Sequence, residues 1–342
     1  MKAVVITKSG GPDVLVYKEW PTPEPKAGEI RIRTRFAGVN FADTTARLGW
    51  YPDAPKSPCV VGYEVSGTVD KLGAGVAEFA IGDRVFALCL EFGGYGEQVC
   101  VPAIAARKTP QDMTDEEAAA LPVVYITAYH MLHYLTTVRP GDRVLIHAAA
   151  GGVGIAAVQM AKAQGAVIFG TASASKHAVL RELGVTHCID YRTQDFAAEV
   201  KRITNGEGVD IVMDALGGTA LKKSFNSLRP AGRLFTFGFS RVQQNGKVGK
   251  LTLVKEFLSM PKFQSMPLMN DNRAVLGVNM NHMSKAPDIV AKELAGLLEL
   301  WAAKVIKPRI DLVVPAERAA EAHRRLDAGA NIGKVLIGFP PP

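Results

Sequence analysis

The spacing of apolar positions changes near residue 121. Before this point, short apolar stretches bounded by Gly, Pro and Asp predict strands at residues 2–7, 29–36, 67–72 and 83–88. Their irregular spacing predicts a compact, β-rich and partly closed sheet. From Thr114 the apolar period becomes helical, and Glu117 completes a capping box that marks a helix start.

Strand and helix patterns alternate from Asp142 onward. The predicted strands lie at residues 144–146, 166–171, 187–191, 209–214 and 233–238, and from Val275 to Met280. The predicted helices lie at residues 175–183, 196–204, 221–228, 287–303 and 317–328. This alternation predicts an α/β fold with a Rossmann doubly wound parallel sheet that helices cover on both faces.

The length of the chain indicates two domains, because 342 residues exceed what one hydrophobic core usually supports. We predict a β-rich, partly closed-barrel catalytic domain made of residues 1–121 and 281–342. We predict a Rossmann dinucleotide-binding domain made of residues 122–280.

One stretch of the second domain carries the clearest chemistry. Residues 142–165 form an apolar strand pattern, a turn of Ala and Gly, and a helix pattern of small apolar residues. The spacing Ala148-x-x-Gly151-x-x-Gly154 is a variant of the dinucleotide fingerprint in which alanine replaces the first glycine. Glycines let a pyrophosphate approach the N–H groups at the helix start. A buried helix start without a ligand is the alternative, and the surrounding strand-helix-strand pattern favours the nucleotide site.

The end of the second strand of this domain indicates which dinucleotide binds. NAD sites place an Asp or Glu there, which holds the ribose hydroxyls. Here Thr171, Ser173, Ser175 and Lys176 follow instead, and no carboxylate among them would repel a 2′-phosphate. We therefore predict NADPH as the cofactor. The alternatives are that Ser173 is an ordinary helix cap and that Lys176 is a solvated surface lysine.

Composition argues against several other functions. The formal net charge is +7, but Lys and Arg are scattered and form no basic, aromatic-interleaved stripe, so no nucleic-acid partner is expected. The four cysteines are too far apart for a C-x-x-C metal pair. The chain starts directly with a strand pattern, and glycines interrupt the longest apolar run, residues 144–161. We therefore expect a cytoplasmic protein without membrane association.

Residues 243–272 interrupt the alternation of strands and helices. They contain Met260, Met266 and Met269 together with two prolines. Flexible methionines suit a lid over an apolar substrate, and they equally suit a satellite of the core. Residues 250–269 are also the one amphipathic stretch that a membrane-bound function would use.

Several sequence stretches together resemble one enzyme family. They are GVNFADTTARLGWY (38–51), HAAAGGVGIAAVQ (147–159), TASASKH (171–177), GVTHCIDY (184–191) and GVDIVMDALGG (208–218). Over essentially the whole chain, the order of these motifs resembles the medium-chain dehydrogenase/reductase superfamily. Within it, the motifs resemble the zeta-crystallin-like quinone oxidoreductases, and most of all their vesicle amine transport protein branch.

The resemblance implies roles for particular residues. It implies that Lys176 and Tyr191 hold the 2′-phosphate, and that the strand from Val275 to Met280 pairs two chains in a homodimer. The candidate cofactor contacts are Ala150, Gly151, Gly152, Val153, Gly154, Thr171, Ser173, Lys176, Tyr191, Gly238 and Lys334.

The resemblance also identifies the positions where a zinc site would lie. Zinc alcohol dehydrogenases of this superfamily use a Cys after a turn of the catalytic domain and a His in a Gly-His-Glu motif. Here the turn is VNFAD (39–43) and the motif is GYE (62–64), so the thiolate and the imidazole are both replaced. We therefore predict no catalytic metal.

Without a metal, hydride transfer from a reduced nicotinamide requires an acceptor that is already electron-poor. The predicted function is zinc-independent, NADPH-dependent hydride transfer to a quinone or an α,β-unsaturated carbonyl, a small apolar electrophile. Asn40, Tyr63 and Thr127 are the candidate catalytic residues, because each can donate a hydrogen bond to a developing oxyanion. Thr45 stands where some similar quinone oxidoreductases carry a tyrosine, so the proton donor stays open.

Two other functions remain as alternatives. One is an enoyl-thioester reductase, and the other is a membrane- or vesicle-associated binding protein that retains the fold. A further expectation concerns Asp43 and Arg47, which lie four residues apart in a helical pattern and predict an internal ion pair.

Overall fold

The computed structural model describes residues 1–240, 256 and 258–341. Backbone contacts separate the chain into two compact units. Unit 1 comprises Met1–Ile126, Met280–Ala302 and Lys307–Pro342. Unit 2 comprises Thr127–Asn279 and Ala303–Ile306.

The regular elements follow the chain in this order. The β-strands of the described residues are β1 (Lys2–Ile6), β2 (Leu15–Glu19), β3 (Glu29–Val39), β4 (Glu64–Leu72), β5 (Arg84–Leu88), β6 (Gln98–Pro102), β7 (Ala106–Lys108), β8 (Arg143–Ile146), β9 (Val167–Ala172), β10 (His187–Asp190), β11 (Val209–Asp214), β12 (Leu228–Thr236), β13 (Ala274–Gly277), β14 (Ile310–Pro315) and β15 (Lys334–Gly338). The α-helices of the same residues are α1 (Phe41–Arg47), α2 (Asp115–Ala119), α3 (Pro122–Tyr129), α4 (Gly152–Ala163), α5 (His177–Leu183), α6 (Phe196–Ile203), α7 (Ala220–Asn226), α8 (Ser265–Asp271), α9 (Pro287–Ala302) and α10 (Ala319–Asp327).

Unit 2 contains a parallel sheet in the strand order β10-β9-β8-β11-β12-β13. This order reverses between β8 and β11, as in the Rossmann fold, where ligands bind outside the carboxyl ends of the strands at the reversal. Val144, Leu145 and Ile146 of β8 are fully buried, since the central strand of a parallel sheet is covered on both faces. The predicted Rossmann sheet is confirmed.

Unit 1 contains a second sheet in the order β14-β15-β3-β4-β5-β7, and β6 also pairs with β3. The neighbouring strands are antiparallel except for β14 and β15. Buried positions such as Ile30 and Ile32 alternate with more exposed ones along the first part of β3, because one face of the strand packs on the core. The predicted β-rich sheet is therefore present as a sheet separate from the Rossmann sheet.

Some predicted boundaries are wrong. The strand from Val275 to Met280 is three residues too long, because β13 ends at Gly277 and Met280 begins a 3-10 turn. Val278 N–H still donates to Thr236 O, so the apolar pattern continues beyond the regular strand. The helix expected from residue 175 begins instead with a 3-10 turn, Ala174–Lys176, before α5.

The capping box at Thr114 is confirmed. Glu117 N–H donates to Thr114 Oγ1 at 3.2 Å, and Thr114 N–H donates to Glu117 Oε2 at 3.1 Å. The helical stretch that follows is divided, because Pro122 begins a new helix at a position where its missing N–H costs no hydrogen bond.

Candidate functional site

The turn between β8 and α4 carries the predicted pyrophosphate site. Gly151 precedes the first turn of α4, and the Ile155 N–H donates back to Gly151 O. The N–H groups of Gly152, Val153 and Gly154 lie before that bond and have no partner within the helix. Together with the helix dipole, these groups form a terminus that suits an anion.

Close backbone packing explains why residue 154 is a glycine. A Cβ at this position would lie 2.6 Å from Ala149 C and Cα, and closer still to Ala148 O. Ala148 has a φ of 51°, which lies in the left-handed region that favours glycine. Ala148 therefore adopts the conformation of the first fingerprint glycine despite its methyl group. Bare backbone lines the turn, and this arrangement fits a dinucleotide pyrophosphate.

A buried chain of hydrogen-bonded polar side chains contacts the backbone of this turn. Thr171 Oγ1 accepts from Ala148 N at 3.3 Å and lies 3.1 Å from His147 Nδ1. His147 Nε2 lies 3.1 Å from Ser224 Oγ, which in turn donates to Asp214 Oδ2 at 2.5 Å. Because Ser224 uses its hydrogen on Asp214, His147 must donate through Nε2–H and accept at Nδ1. The side chain of Thr171 thus holds the turn, and burial keeps His147 neutral by lowering its pKa.

The predicted 2′-phosphate residues lie at the carboxyl ends of β9 and β10. The parallel register places Asp190 beside Ala172, so Ser173 and Tyr191 directly follow two paired positions. Ser173 Oγ lies 3.2 Å from Ser175 Oγ, and Ser173 makes no side-chain cap bond to the 3-10 turn. Ser173 is therefore not an ordinary helix cap. Tyr191 is 51% exposed at this edge.

Arg192, which no sequence motif indicated, lies at the same edge. Its guanidinium carbon lies 6.0 Å from the centre of the Tyr191 ring. Lys176 ends the neighbouring 3-10 turn, so two cationic side chains belong to the two segments that follow β9 and β10. The signal that identifies Arg192 is its position immediately after Tyr191.

The other two cofactor candidates lie in different units. Gly238 follows β12 in unit 2, and a Cβ there would lie 2.7 Å from Ala215 O, so the two chain segments approach closely at the carboxyl edge of the sheet. Lys334 begins β15 in unit 1, where it is 4% exposed.

Lys334 lies in a buried polar cluster with the candidate catalytic residue Asn40. Lys334 Nζ donates to Asn40 Oδ1 at 2.5 Å and forms an ion pair with Glu64 Oε1. Asn40 Nδ2 donates to Glu64 Oε1 at 2.9 Å and weakly to Gly38 O at 3.4 Å. Glu64 Oε2 accepts from Val123 N at 2.6 Å. Hydrogen bonds thus hold both the oxygen and the nitrogen of the Asn40 amide. One of the two Nδ2–H groups makes only a weak hydrogen bond, to Gly38 O.

Tyr63 lies in an aromatic cluster of unit 1. Its ring centre is 4.9 Å from that of Phe92 and 6.2 Å from that of Tyr51. Phe92 has a φ of 68°, an uncommon conformation for a bulky residue that is often found at functional sites. No pattern in the sequence indicated Phe92.

The hydroxyl of Tyr63 differs from most buried polar groups. Tyr63 Oη makes no hydrogen bond of normal geometry within the described residues. Burial raises the pKa of Tyr63 far above its ordinary value, and the charges of nearby Asp43 and the Tyr51 hydroxyl act in the same direction. Tyr63 therefore keeps its proton and can donate it in a hydrogen bond to a ligand oxygen.

Thr127, the third candidate catalytic residue, is buried in α3 and belongs to unit 2. The helix ends in a π-turn, His130–Tyr134, where His130 stacks on Tyr134 with ring centres 5.3 Å apart. His133 stacks on Tyr129 in the same way at 4.7 Å. His130 is buried.

The predicted ion pair between Asp43 and Arg47 is wrong. Arg47 instead donates to Asp327 Oδ2 at 2.9 Å and to Gly10 O at 3.0 Å. Asp43 accepts two backbone N–H groups, one of them from Gly62 at 3.1 Å. Helix α1 therefore directs the two charged side chains to different partners.

Two further expectations concern metals and membranes. Among the residues that the structure describes, no three or more His, Cys, Asp or Glu side chains are grouped as a metal site. Within the same residues, no helix combines the length and the apolar character that a bilayer crossing requires.

The predicted lid, residues 243–272, falls partly outside the described residues, which omit 241–255 and 257. The same applies to the first part of the amphipathic stretch at residues 250–269. In the described part, Met266 and Met269 of α8 are 62% and 66% exposed, so neither is a core residue.

Comparison with known proteins identifies the family. Residues 26–111 match the alcohol dehydrogenase GroES-like domain, and residues 152–296 match the zinc-binding dehydrogenase family. The human synaptic vesicle membrane protein VAT-1 homolog is 41% identical over 340 residues, which are 98% of this chain and 86% of that protein. The 2-haloacrylate reductase of a Burkholderia species is 34% identical over 342 residues, 98% of either chain. The structure of Escherichia coli quinone oxidoreductase complexed with NADPH has a TM-score of 0.85 and 30% identity, and the match covers 99% of this chain and 100% of that one.

The chain belongs to the medium-chain dehydrogenase/reductase superfamily, within its quinone oxidoreductase-like family and the branch of the VAT-1 homologs. It is accordingly an oxidoreductase with the Rossmann and GroES-like domains of that superfamily.

Proposed function

We propose that this chain catalyses zinc-independent hydride transfer from NADPH to a quinone or an α,β-unsaturated carbonyl. The observation that carries the proposal is the chemistry of Asn40 and Tyr63. The resemblance to the zinc alcohol dehydrogenases implies that Asn40 and Tyr63 stand at the positions of two zinc ligands, where they provide an amide and a phenol instead of a thiolate and an imidazole. An amide or a neutral phenol is a poor zinc ligand, whereas both groups donate hydrogen bonds.

The protein side of the proposed reaction follows from these groups. NADPH supplies the hydride when it is bound. The hydroxyl of Tyr63, which makes no hydrogen bond of normal geometry within the described residues, donates to the acceptor's carbonyl oxygen, and the weakly engaged N–H of Asn40 is the second donor. Preorganised donors of this kind stabilise the oxyanion that develops during hydride transfer. The aromatic rings of Tyr51 and Phe92 next to Tyr63 favour a flat, apolar acceptor.

We propose the following assignment of the two domains. Residues 1–121 and 281–342 bind the acceptor, and residues 122–280 bind the dinucleotide. Gly151, Gly152, Val153 and Gly154 would hold the pyrophosphate, and Ser173, Lys176, Tyr191 and Arg192 would hold the 2′-phosphate. The related quinone oxidoreductase with NADPH in its structure supports this choice of cofactor.

The substitution Tyr63→Phe tests the role of the phenol. We expect kcat to fall about 100-fold, the usual effect of losing one oxyanion donor, with little change in NADPH affinity. The assay is NADPH oxidation against a panel of quinones, enones, enoyl thioesters and aldehydes. Tyr17→Phe is the matched control, because Tyr17 donates to Glu97 elsewhere in unit 1. Unchanged turnover of Tyr63→Phe with every accepted substrate would contradict the assignment.

The preference for NADPH provides a second test. We expect NADPH to bind at least about tenfold more tightly than NADH, equal to about 1.4 kcal/mol, because Lys176 pairs with the 2′-phosphate. Lys176→Ala should reduce the difference between the NADPH and NADH affinities, which is the gap measured here. Lys201→Ala removes the same charge from the exposed face of α6 and should leave the gap unchanged. Equal affinities in the unaltered protein would refute the prediction.

The same substrate panel separates the proposed function from its alternatives. An enoyl-thioester reductase would prefer enoyl thioesters to free enones and quinones. For a membrane- or vesicle-associated protein, which the names of the VAT-1 relatives suggest, the measurement is flotation with liposomes. We expect no enrichment of the protein in the lipid fraction.

We also propose that the protein forms a homodimer. The strand β13 lies at the edge of the parallel sheet, and an open edge strand exposes unpaired N–H and C=O groups that a second copy can cover. The pairing would use Ala274–Gly277 rather than the longer predicted strand. A monomer in sedimentation velocity would contradict it.

A further inference from the structure

A single buried carboxylate contacts the backbone beside both candidate catalytic residues of unit 1. Asp43 is fully buried in α1. Its Oδ2 accepts from Asn40 N at 2.8 Å, and its Oδ1 accepts from Gly62 N at 3.1 Å. Gly62 immediately precedes Tyr63 in the chain. The carboxylate therefore joins the end of β3 to the segment that leads into β4.

These two hydrogen bonds fix the backbone next to the two proposed donors, Asn40 and Tyr63. Asn40 and Tyr63 are 23 positions apart in the sequence and lie on different elements, so their relative placement needs a tertiary link. We propose that Asp43 is a positioning residue that holds Asn40 and Tyr63 at their working separation. This inference rests on the proposed function, because it assumes that both side chains bind the acceptor.

The carboxylate is itself supported by a buried chain of hydrogen bonds. The Tyr95 hydroxyl lies 3.1 Å from His323 Nε2 and lowers the pKa of Asp43. His323 Nδ1 lies 3.3 Å from an Arg47 nitrogen. Arg47 only donates, so His323 accepts at Nδ1 and donates from Nε2–H to Tyr95. The hydroxyl hydrogen of Tyr95 is then not used on His323, which agrees with the direction in which Tyr95 shifts the pKa of Asp43.

The proposed positioning role requires the ionised form of Asp43. Both backbone partners are donors, and the carboxylate accepts strongly from each, whereas protonation removes the negative charge and weakens the acceptor at the protonated oxygen. Burial is the largest influence and raises the pKa of Asp43 to about 7. The groups that face Asp43 or its supporting chain are Lys334, Glu64, Tyr63, Cys89, Tyr95, His323 and Arg47. Among them, Lys334 and Tyr95 lower the pKa of Asp43, and Glu64 raises it.

The substitution Asp43→Asn tests the inference. The amide of the new Asn side chain has one acceptor oxygen, which can still accept from one backbone N–H. Its NH₂ group would face the other backbone N–H, and two donors cannot form a hydrogen bond. We expect kcat to fall about 100-fold, the effect of a misplacement of about 1 Å, while the KM for NADPH stays within about twofold. We also expect wild-type activity to rise with pH through the pKa of Asp43 and this rise to disappear in Asp43→Asn.

A second variant keeps the test decisive if Asp43→Asn does not fold. Tyr95→Phe leaves the carboxylate in place but removes a hydrogen bond that favours its ionised form. Its pH–activity curve should shift to higher pH, with wild-type kcat reached at alkaline pH. Asp195→Asn is the matched control, because Asp195 likewise accepts two backbone N–H groups, from Ala197 and Ala198, at the start of α6. Its activity and pH profile should equal those of the wild type.

The outcomes separate this inference from the proposed function. A wild-type protein that oxidises NADPH, together with an unchanged kcat in Asp43→Asn or an unshifted pH profile in Tyr95→Phe, overturns the positioning role alone. Absence of NADPH oxidation by the wild type with every acceptor in the panel overturns the proposed function, and the positioning role with it.

Discussion

Replacing Gly154 with alanine is expected to abolish useful NADPH binding. The new Cβ would lie 2.6 Å from the backbone of Ala149, and backbone atoms cannot move aside as a flexible side chain can. The turn must shift, and the N–H groups at the start of α4 then lose their alignment with the pyrophosphate. We expect a loss of about 2–3 kcal/mol in binding, roughly a 30- to 150-fold rise in Kd. Fluorescence titration of NADPH measures this change.

Two further variants give this prediction its controls. Gly11→Ala makes the same substitution in unit 1, where nothing lies within 4 Å of the new Cβ, so NADPH affinity should be unchanged. Ala148→Gly restores the first fingerprint glycine at a residue whose φ is already 51°, so binding should be retained. Wild-type affinity in Gly154→Ala would show that the turn does not hold the cofactor.

Replacing Lys334 with methionine is expected to be strongly destabilising. Its side chain is 4% exposed, and that of its partner Glu64 is 0% exposed, so the substitution leaves a buried carboxylate without its counter-charge. Breaking a buried pair from one side typically costs about 3–5 kcal/mol. Asn40 also loses the donor to its Oδ1. Urea denaturation measures the change in the free energy of unfolding.

The controls for this prediction lie in the same unit. Lys108→Met breaks the ion pair between Lys108 and Asp83, whose side chains are 57% and 23% exposed, and should cost less than about 1 kcal/mol. Lys334→Met combined with Glu64→Gln removes both charges and should recover a large part of the loss. Equal effects of Lys108→Met and Lys334→Met would contradict the importance of burial.

The local parts of the fold could be predicted from the sequence. Apolar periodicity identified the strands of the Rossmann sheet, since side chains of a strand alternate between two faces and buried strands are continuous apolar runs. The turn at Ala148, Gly151 and Gly154 was also recognisable, because glycines are required where neighbouring backbone segments approach closely. Thr114 and Glu117 also marked a helix start, because the two partners of a capping box are only three positions apart in the sequence.

Strand and helix ends were less predictable, because apolar residues continue beyond the regular hydrogen bonds. Val278 and Met280 extend the apolar pattern of β13, although the strand ends at Gly277. The left-handed conformations of Ala148 and Phe92 also have no signal in residue type, since both residues usually avoid positive φ. Packing around them determines these conformations.

The sequence alone determined the class of the fold and the position of the glycine turn between β8 and α4, and it carries Asn and Tyr, not Cys and His, at residues 40 and 63. The tertiary structure decided which polar groups meet. Arg47 bonds to Asp327, 280 positions away, and Lys334 bonds to Asn40, 294 positions away. Spacing along the chain suggested a pair between Asp43 and Arg47, but buried charges take whichever partner gives full hydrogen bonding after the core has formed. Such partners come from strands and helices that only the folded sheet brings together.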